Sequence, residues 1–339
     1  MPATIRDVAQ QAGVGLGTVS RVINDSASVS DATRQRVLDV IKDLNYVPNP
    51  TARRLSLGKT LTIAVIVPWF TRPAEVERLR GIEHALVESN YDLILYNVET
   101  PAQRDRYFRD IPRRERVDGV LIVSLTPRDG DVKPFKKANV PIVLVDAHHA
   151  SLARLNQVVT DDVTGGCEAT QHLIELGHRR IAYISDYLDE PFNFTSSRDR
   201  LTGYQQALQA AGIPFRPVYQ RQGDHGRAEA HRLAAQLLAL PDRPTAIFAA
   251  SDTQAMGVLE AARDAGLRVP DDLSVIGYDD IEIAEYLGLT TMSQKLYQSG
   301  QRGVELLLAV LENPDAQPVT EVMPAQLTVR ATTARLAAA

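Results

Sequence analysis

Between residues 16 and 24 the chain carries a set of side chains suited to reading a polar polymer. Gly17, Ser20, Arg21 and Asn24 recur at i, i+3, i+4 and i+7, so on a helix they share one face. Val19, Val22 and Ile23 fall on the opposite stripe. A hydroxyl, a guanidinium and an amide displayed together supply the donors and acceptors that base edges and phosphates require. A plain solvated face on a small bundle would show the same spacing. Other chemistries find less support. The seven histidines have no metal-ligand spacing, and His148-His149 reads as a solvated pair in a loop. Gly13-Val14-Gly15-Leu16-Gly17 is rich in glycine but follows no strand, so it is not a dinucleotide loop. Gly58-Lys59-Thr60 ends like a phosphate-binding loop, yet Arg53 stands where the first glycine is required. There is no Gly-x-Ser-x-Gly elbow. No catalytic constellation, cofactor site or metal site is expected, and an enzyme is not the reading.

Three short helices account for the first 45 residues and would position that reading face. Ile5, Val8, Ala9 and Ala12 repeat at helical spacing behind Thr4 as N-cap, and Gly13 breaks the helix. The second pattern runs from about Leu16 to Ile23. The third runs from Asp31 to Leu44 behind Ser30, with Val37, Leu38, Ile41 and Leu44 inward. Helix, glycine turn and second helix give helix-turn-helix spacing. Residues 1–60 hold eight Lys/Arg and five Asp/Glu, whereas the chain as a whole is at −5. A cationic head on an anionic body suits a polyanion touched at one end. Residues 47–60 read as a hinge: Pro48 and Pro50 start it, Gly58 ends it, and Arg53 and Arg54 make it basic. Its helix is too short to stand alone, so it is expected to fold on DNA.

From Leu61 the pattern alternates. Leu61–Val67, Tyr91–Asn97, Gly119–Val123, Ile142–Asp146, Val158–Thr160, Ile181–Ser185, Thr245–Ala250 and Leu273–Gly277 read as buried strands. Helical stretches include Ala74–Ser89, Asp162–Leu176, Arg198–Ala211, Arg227–Leu240 and Thr253–Ala265. Such alternation predicts two doubly wound parallel-sheet lobes with a ligand cleft at the strand ends. The single cysteine, Cys167, reads as a packing residue and fits a reducing compartment. No apolar run is long enough for a membrane helix and the N-terminus has no signal-peptide pattern, so a cytoplasmic protein without a membrane partner is expected.

The segments Thr4-Ile5-Arg6-Asp7-Val8-Ala9, Ala12-Gly13-Val14, Thr18-Val19-Ser20-Arg21-Val22-Ile23-Asn24 and Leu44-Asn45-Tyr46-Val47-Pro48-Asn49 closely resemble the LacI/GalR family of bacterial regulators. In the body, Leu176-Gly177-His178-Arg179-Arg180, Arg200-Leu201-Thr202-Gly203-Tyr204, Ala250-Ser251-Asp252 and Ile276-Gly277-Tyr278-Asp279-Asp280 extend the resemblance over essentially the whole chain. It implies an all-α helix-turn-helix DNA-binding domain (1–46), a hinge (47–60) and an α/β periplasmic-binding-protein-like domain (61–339). The first lobe of that domain spans about 61–161 and 292–322, the second about 163–290 and 324–339. It further implies a homodimeric repressor on double-stranded operator DNA, released by a small sugar-like inducer. Arg335 to Ala339 show no leucine heptad for a tetramer.

By the same resemblance Leu16, Gly17 and Arg21 read bases, and Thr4, Thr18, Ser20, Asn24, Ser30, Thr33 and Tyr46 meet the DNA backbone. Leu55 would wedge into the minor groove beside Asn49, Ala52 and Ser56. Gly15 departs from the serine usual at its position. Arg200 and Asp252 are implied as a fork-and-acceptor clamp for vicinal hydroxyls. Asp146, Phe192, Asn193, His225 and Gln294 fall where the family binds ligand, His225 replacing a common aromatic. Trp69, the single tryptophan, follows the first body strand and with Phe70 is expected to stack on a sugar face. Residues 69–74 depart from the family's usual stretch, and Gly288 replaces a common proline, which leaves the effector's identity open.

Overall fold

The computed structural model describes residues 3–25, 27–48, 58–128, 130–147, 154–189, 191–192 and 194–336. The chain divides into two compact units, 1–61 with 114–118, and 62–113 with 119–339. The hinge residues Asn49, Ala52, Leu55 and Ser56, and Asn193 in the body, lie outside the described residues.

In the first unit α1 (Ile5–Ala12), α2 (Leu16–Ile23) and α3 (Asp31–Asp43) surround a small core of Val8, Ala9, Ala12, Val19, Val22, Val29, Val37 and Val40. Thr4 and Asp7 form a reciprocal capping box: the Asp7 N–H donates to Thr4 Oγ1 at 3.4 Å and the Thr4 N–H to Asp7 Oδ2 at 2.8 Å. Gly13 closes α1 at φ 65°, a left-handed turn that costs glycine little. Two expectations change in α3. Leu38 is 44% exposed rather than inward, because Val40 completes the Val37, Val40, Ile41, Leu44 face at i, i+3, i+4, i+7. Ser30 makes no side-chain cap; its hydroxyl donates to Thr33 Oγ1 at 3.0 Å instead.

The second unit holds two six-stranded sheets. The first is built from β1 (Thr62–Pro68), β2 (Asp92–Val98), β3 (Gly119–Val123), β4 (Ile142–Val145), β5 (Asn156–Thr160) and β11 (Thr320–Met323), in the order β11-β5-β4-β3-β1-β2 and parallel throughout. The other contains β6 (Ile181–Asp186), β7 (Gln220–Gly223), β8 (Ala246–Ala249), β9 (Ser274–Asp279), β10 (Thr290–Ser293) and β12 (Gln326–Thr328). Its order is β12-β10-β9-β8-β6-β7, with β12 alone antiparallel. The chain therefore crosses between the sheets after β5, after β10 and between β11 and β12. The strands β1, β3 and β4 are buried along their length, as continuous Val/Ile/Leu runs in a covered parallel sheet should be.

Helices α4 (Pro73–Leu86), α5 (Pro101–Asp110), α6 (Val132–Ala138) and α12 (Leu296–Glu312) flank the first sheet. Helices α7 (Asp162–Glu175) and α8 (Ser196–Ala210) cover one face of the second, and α9 (Arg227–Leu238) and α10 (Asp252–Asp264) the other, with a short α11 (Glu282–Tyr286) before β10. Among the described residues no helix is long and apolar enough to cross a membrane.

Candidate functional site

Two surfaces carry the chemistry. In the head, α2 has Leu16, Gly17 and Arg21 exposed on the side away from the core, while Thr18, Ser20, Asn24, Thr33 and Tyr46 are half-buried around it. A Cβ placed on Gly17 would meet only Arg21 Nη2, at 3.7 Å, so the arginine lies along the groove that the missing side chain leaves. Gly15 caps α2 with its backbone alone. Thr4 and Ser30 are exposed, yet their hydroxyls already donate to Asp7 and Thr33. Each retains lone pairs, and their neighbouring helix N-termini carry backbone N–H groups suited to a phosphate.

In the body, a cleft of about 470 Å³ lies between the two sheets. Six polar groups of its wall stand at the C-terminal ends of strands: Ser124 after β3, Asp146 after β4, Asp186 at β6, His225 after β7, Asp279 at β9 and Gln294 after β10. This is where parallel sheets leave backbone and side chains open to a ligand. The turns there are strained. Ser124 (φ 51°), Asp146 (φ 53°) and Asp279 (φ 119°) all take left-handed backbone conformations without being glycine.

Buried Arg200 anchors one side. Its Nε donates to Asp162 Oδ1 at 2.9 Å and its Nη1 to the Ala250 carbonyl at 2.5 Å, with Asp279 Oδ1 at 3.7 Å. The guanidinium lies over the Tyr278 ring, 3.8 Å from its centroid. Buried Arg78, from α4, anchors the other side: Asp146 Oδ2 is at 2.8 Å, the Ser124 hydroxyl at 3.2 Å and Glu75 at 3.4 Å. Gln294 joins the two sides, accepting from Arg78 Nη2 at 3.3 Å and donating Nε2 to Asp279 Oδ1 at 2.5 Å. Asp186 accepts from Gln254 Nε2 at 2.8 Å and faces His225 Nδ1 at 3.1 Å.

The carboxylates respond to this crowding. Burial pushes Asp162 and Asp279 up to about 6, against the pull of Arg200. Burial likewise raises Glu75, although Arg78 lies beside it. Asp186 goes the other way: burial would raise it, but the His225 hydrogen bond and the His225 charge outweigh that and hold it below the usual value.

Of the residues expected from sequence, Asp146, Arg200, His225 and Gln294 come together on this wall. Asp252 does not. Fully buried at the start of α10, its carboxylate turns beneath the sheet to accept from Thr291 Oγ1 at 2.5 Å and the Ile281 N–H at 3.0 Å. The acceptors beside Arg200 are instead Asp162 and Asp279. The aromatic expectation shifts in the same manner. Trp69 packs edge-on against Phe192 (5.1 Å, 83°) and tilted against Phe194 (5.8 Å), with the Arg72 guanidinium 4.1 Å above it. Phe70 is exposed beside Asn97, and neither it, Trp69 nor Phe192 lines the cleft; Phe194 is the ring that does. Glu75, Arg78, Asp162, Asp186, Gln254 and Asp279 were not anticipated. The Asp-Asp pair at 279–280 that ends β9 was the one available signal, since ligands gather at such strand ends.

Residues 4–49 match the profile of bacterial regulatory proteins of the lacI family, and residues 170–333 that of the periplasmic binding protein-like domain. The chain is 34% identical to catabolite control protein A of Priestia megaterium over 338 residues, covering 98% of this chain and 100% of that protein. It is 38% identical to the ribose operon repressor of Escherichia coli K12 over 322 residues, covering 93% of this chain and 95% of the relative. Its fold superposes on the Lac repressor dimer bound to operator and an anti-inducer with a TM-score of 0.85 at 30% identity, covering 98% of this chain and 100% of the other.

Proposed function

Because the chain belongs to the LacI family of bacterial regulatory proteins, we propose that it represses transcription by binding a specific operator and lets go when a small sugar-like inducer fills the cleft of its body. One observation carries this reading: a single chain joins a helix-turn-helix with Arg21 exposed on its second helix to a polar cleft at the strand ends of two parallel sheets. Each part has a core of its own, but a ligand-switched regulator needs both.

The head is residues 1–46, the hinge 47–60 and the effector domain 61–339. Leu16, Gly17 and Arg21 meet base edges in the major groove, where an arginine fork pairs with guanine O6 and N7. Thr4, Thr18, Ser20, Asn24, Ser30, Thr33 and Tyr46 hold the DNA backbone. Asn49, Ala52, Leu55 and Ser56 follow the minor groove. The protein acts as a homodimer on a roughly palindromic site, since two-fold protein symmetry is matched by two-fold operator symmetry. Asp146, Asp162, Arg200, His225, Asp279 and Gln294 grip the inducer, whose hydroxyls suit a wall that mixes carboxylate acceptors with arginine and amide donors. The protein works in the cytoplasm, where its operator is, and its task is regulation rather than catalysis.

A free carbohydrate-binding protein of the transport type would use the same cleft, but has no use for the head. The deciding experiment is selection from a pool of randomised duplexes by the purified full-length chain, followed by titration of the winning sequence at fixed salt with and without a panel of sugars. Enrichment of a palindromic site whose affinity drops with one sugar is the expected result. A pool with no enriched sequence ends the reading.

A further inference from the structure

We propose that the effector of the cleft carries a positively charged nitrogen along with its hydroxyls, placing it with the amino sugars and aminocyclitols rather than with neutral or phosphorylated sugars. This rests on the cleft being the effector site and narrows what the site accepts. Among the described lining residues, carboxylates outnumber guanidinium groups seven to three. The two deepest arginines are each matched closely with one carboxylate: Arg78 with Asp146 at 2.8 Å and Arg200 with Asp162 at 2.9 Å. Glu75 at 3.4 Å and Asp279 at 3.7 Å are second carboxylates on cations already engaged. Most donors of Arg78 and Arg200 are taken by the protein, by Asp146, Glu75, Ser124 and Gln294 for the first and by Asp162 and the Ala250 carbonyl for the second, which leaves Arg78 Nε without an acceptor and Arg200 Nη2 outside these bonds. A phosphate entering here would find only part of each fork open and would face a surplus of like charge. An ammonium would meet acceptors.

The surplus is buried. Glu75 and Asp279 are each 7% exposed. A buried carboxylate without its own counter-ion gains by capturing a proton or a cation. Their raised proton affinity expresses the same deficit. A ligand ammonium relieves it with a charge-assisted hydrogen bond of the short, strong kind. The groups facing Glu75 are Arg78 and Arg72 from its own segment, Asp146 from the end of β4 and the Ser124 hydroxyl from the end of β3.

The experiment uses the full-length protein, with thermal unfolding and Trp69 fluorescence as readouts. The probes are glucosamine, galactosamine, mannosamine and streptamine, each amino sugar matched with its neutral parent, N-acetyl derivative and 6-phosphate; calcium chloride serves as a cation control. The expected result is that an amine raises the unfolding midpoint by several degrees near pH 7.5, binds about ten-fold or more tightly than its neutral parent, and loses that advantage near pH 5. Independently of any ligand, Glu75→Gln is expected to raise the unfolding midpoint of the empty protein near pH 7.5, where the surplus charge is present, and to change it little near pH 5. A purely structural Glu75–Arg78 pair predicts the reverse, a loss near pH 7.5. A neutral, N-acetyl or phosphorylated sugar that binds as well as its amine overturns the proposal, as do stabilisation by calcium alone, a panel silent throughout, or a Glu75→Gln loss near pH 7.5. Operator selection on the same preparation keeps the regulator reading separate, because DNA binding survives any of these outcomes.

Discussion

Arg78 and Asp279 belong to opposite sides of the cleft and share the amide of Gln294, which accepts from the guanidinium at 3.3 Å and donates to the carboxylate at 2.5 Å. Gln294 follows β10, where the chain leaves the second sheet for α12. The bridge therefore sits on one of the crossings about which the lobes would move. Both charged groups are buried, so removing the amide leaves each short of a partner. Gln294→Ala is expected to cost about 2–4 kcal/mol of stability, measured by urea unfolding of the full chain. A loss below about 0.5 kcal/mol would mean that water or a rearranged side chain replaces the bridge at no cost.

Stability should fall as the pH rises through the mildly acidic range. Asp162 and Asp279 sit at about 6 in the folded state, against 3.8 for an ordinary aspartate. Between those values the folded protein holds more protons than the unfolded chain, so this contribution is fully present below the lower value and lost above the upper one. Glu75 and Asp252, also raised by burial, act in the same direction. Asp186 is lowered and acts oppositely, but only below the ordinary aspartate value. The pair should account for a loss on the order of 1–3 kcal/mol between about pH 4 and pH 6. Denaturant midpoints across that window check the slope, and Asp279→Asn should flatten it. A flat profile would show that solvent reaches these carboxylates freely, and a slope of the opposite sign that Arg78 and Arg200 outweigh their burial.

The head was legible because its instructions are local. A capping threonine, a glycine at a left-handed turn and an apolar repeat sit within a few residues of the helix they specify. Leu38 misled because an extra apolar residue beside a helical stripe looks inward until the stripe is fixed by its neighbours. The central strands were legible as buried apolar runs. The edge strands β7, β11 and β12 were not: Gln220–Gly223, Thr320–Met323 and Gln326–Thr328 are short and only partly buried, and they become strands only through partners far away in the chain. The site divided along the same line. Arg200 could be placed from its motif. Whether Asp252 or Asp279 would face it depends on how a strand end and a helix start turn relative to the sheet. Asp279 reaches the cleft through a backbone at φ 119° that no local pattern announces. The Trp69 ring, likewise, is held by Phe192 and Phe194 from more than a hundred residues away.

Arg21→Ala should remove sequence preference while sparing general attraction to DNA. Gly15 and Gly17 bring no side chain to the face of α2, so directional donors there fall mainly to Arg21. Loss of one bidentate base contact costs about 1–3 kcal/mol of discrimination per site, and a dimer loses it in both half-sites. Parallel selections from random duplexes by the two proteins, sequenced after equal rounds, report this directly. Equal enrichment of the same motif would assign base reading elsewhere. Substituting a backbone-contacting residue should instead weaken binding to all sequences alike.

Gly203→Ala tests how closely α7 and α8 must approach to hold Asp162 against Arg200. A Cβ at position 203 would lie 2.0 Å from the Val163 carbonyl oxygen and 2.5 Å from the Cys167 nitrogen, both backbone atoms that no rotamer change can move. On the facing helix, Gly166 meets the Arg200 backbone equally closely. Alanine's higher helix propensity would favour the substitution by about 1 kcal/mol. Separating two packed helices should cost more, about 1–3 kcal/mol or beyond for overpacking, so the net sign is a loss. The separation also lengthens the Asp162–Arg200 contact, now 2.9 Å, because each residue lies on one of the two helices. The expected result is a lower unfolding midpoint together with a weaker rise in stability on acidification, since an Asp162 released toward water no longer holds its proton so tightly. An alanine variant as stable as the parent would mean that the two helices have room to spare.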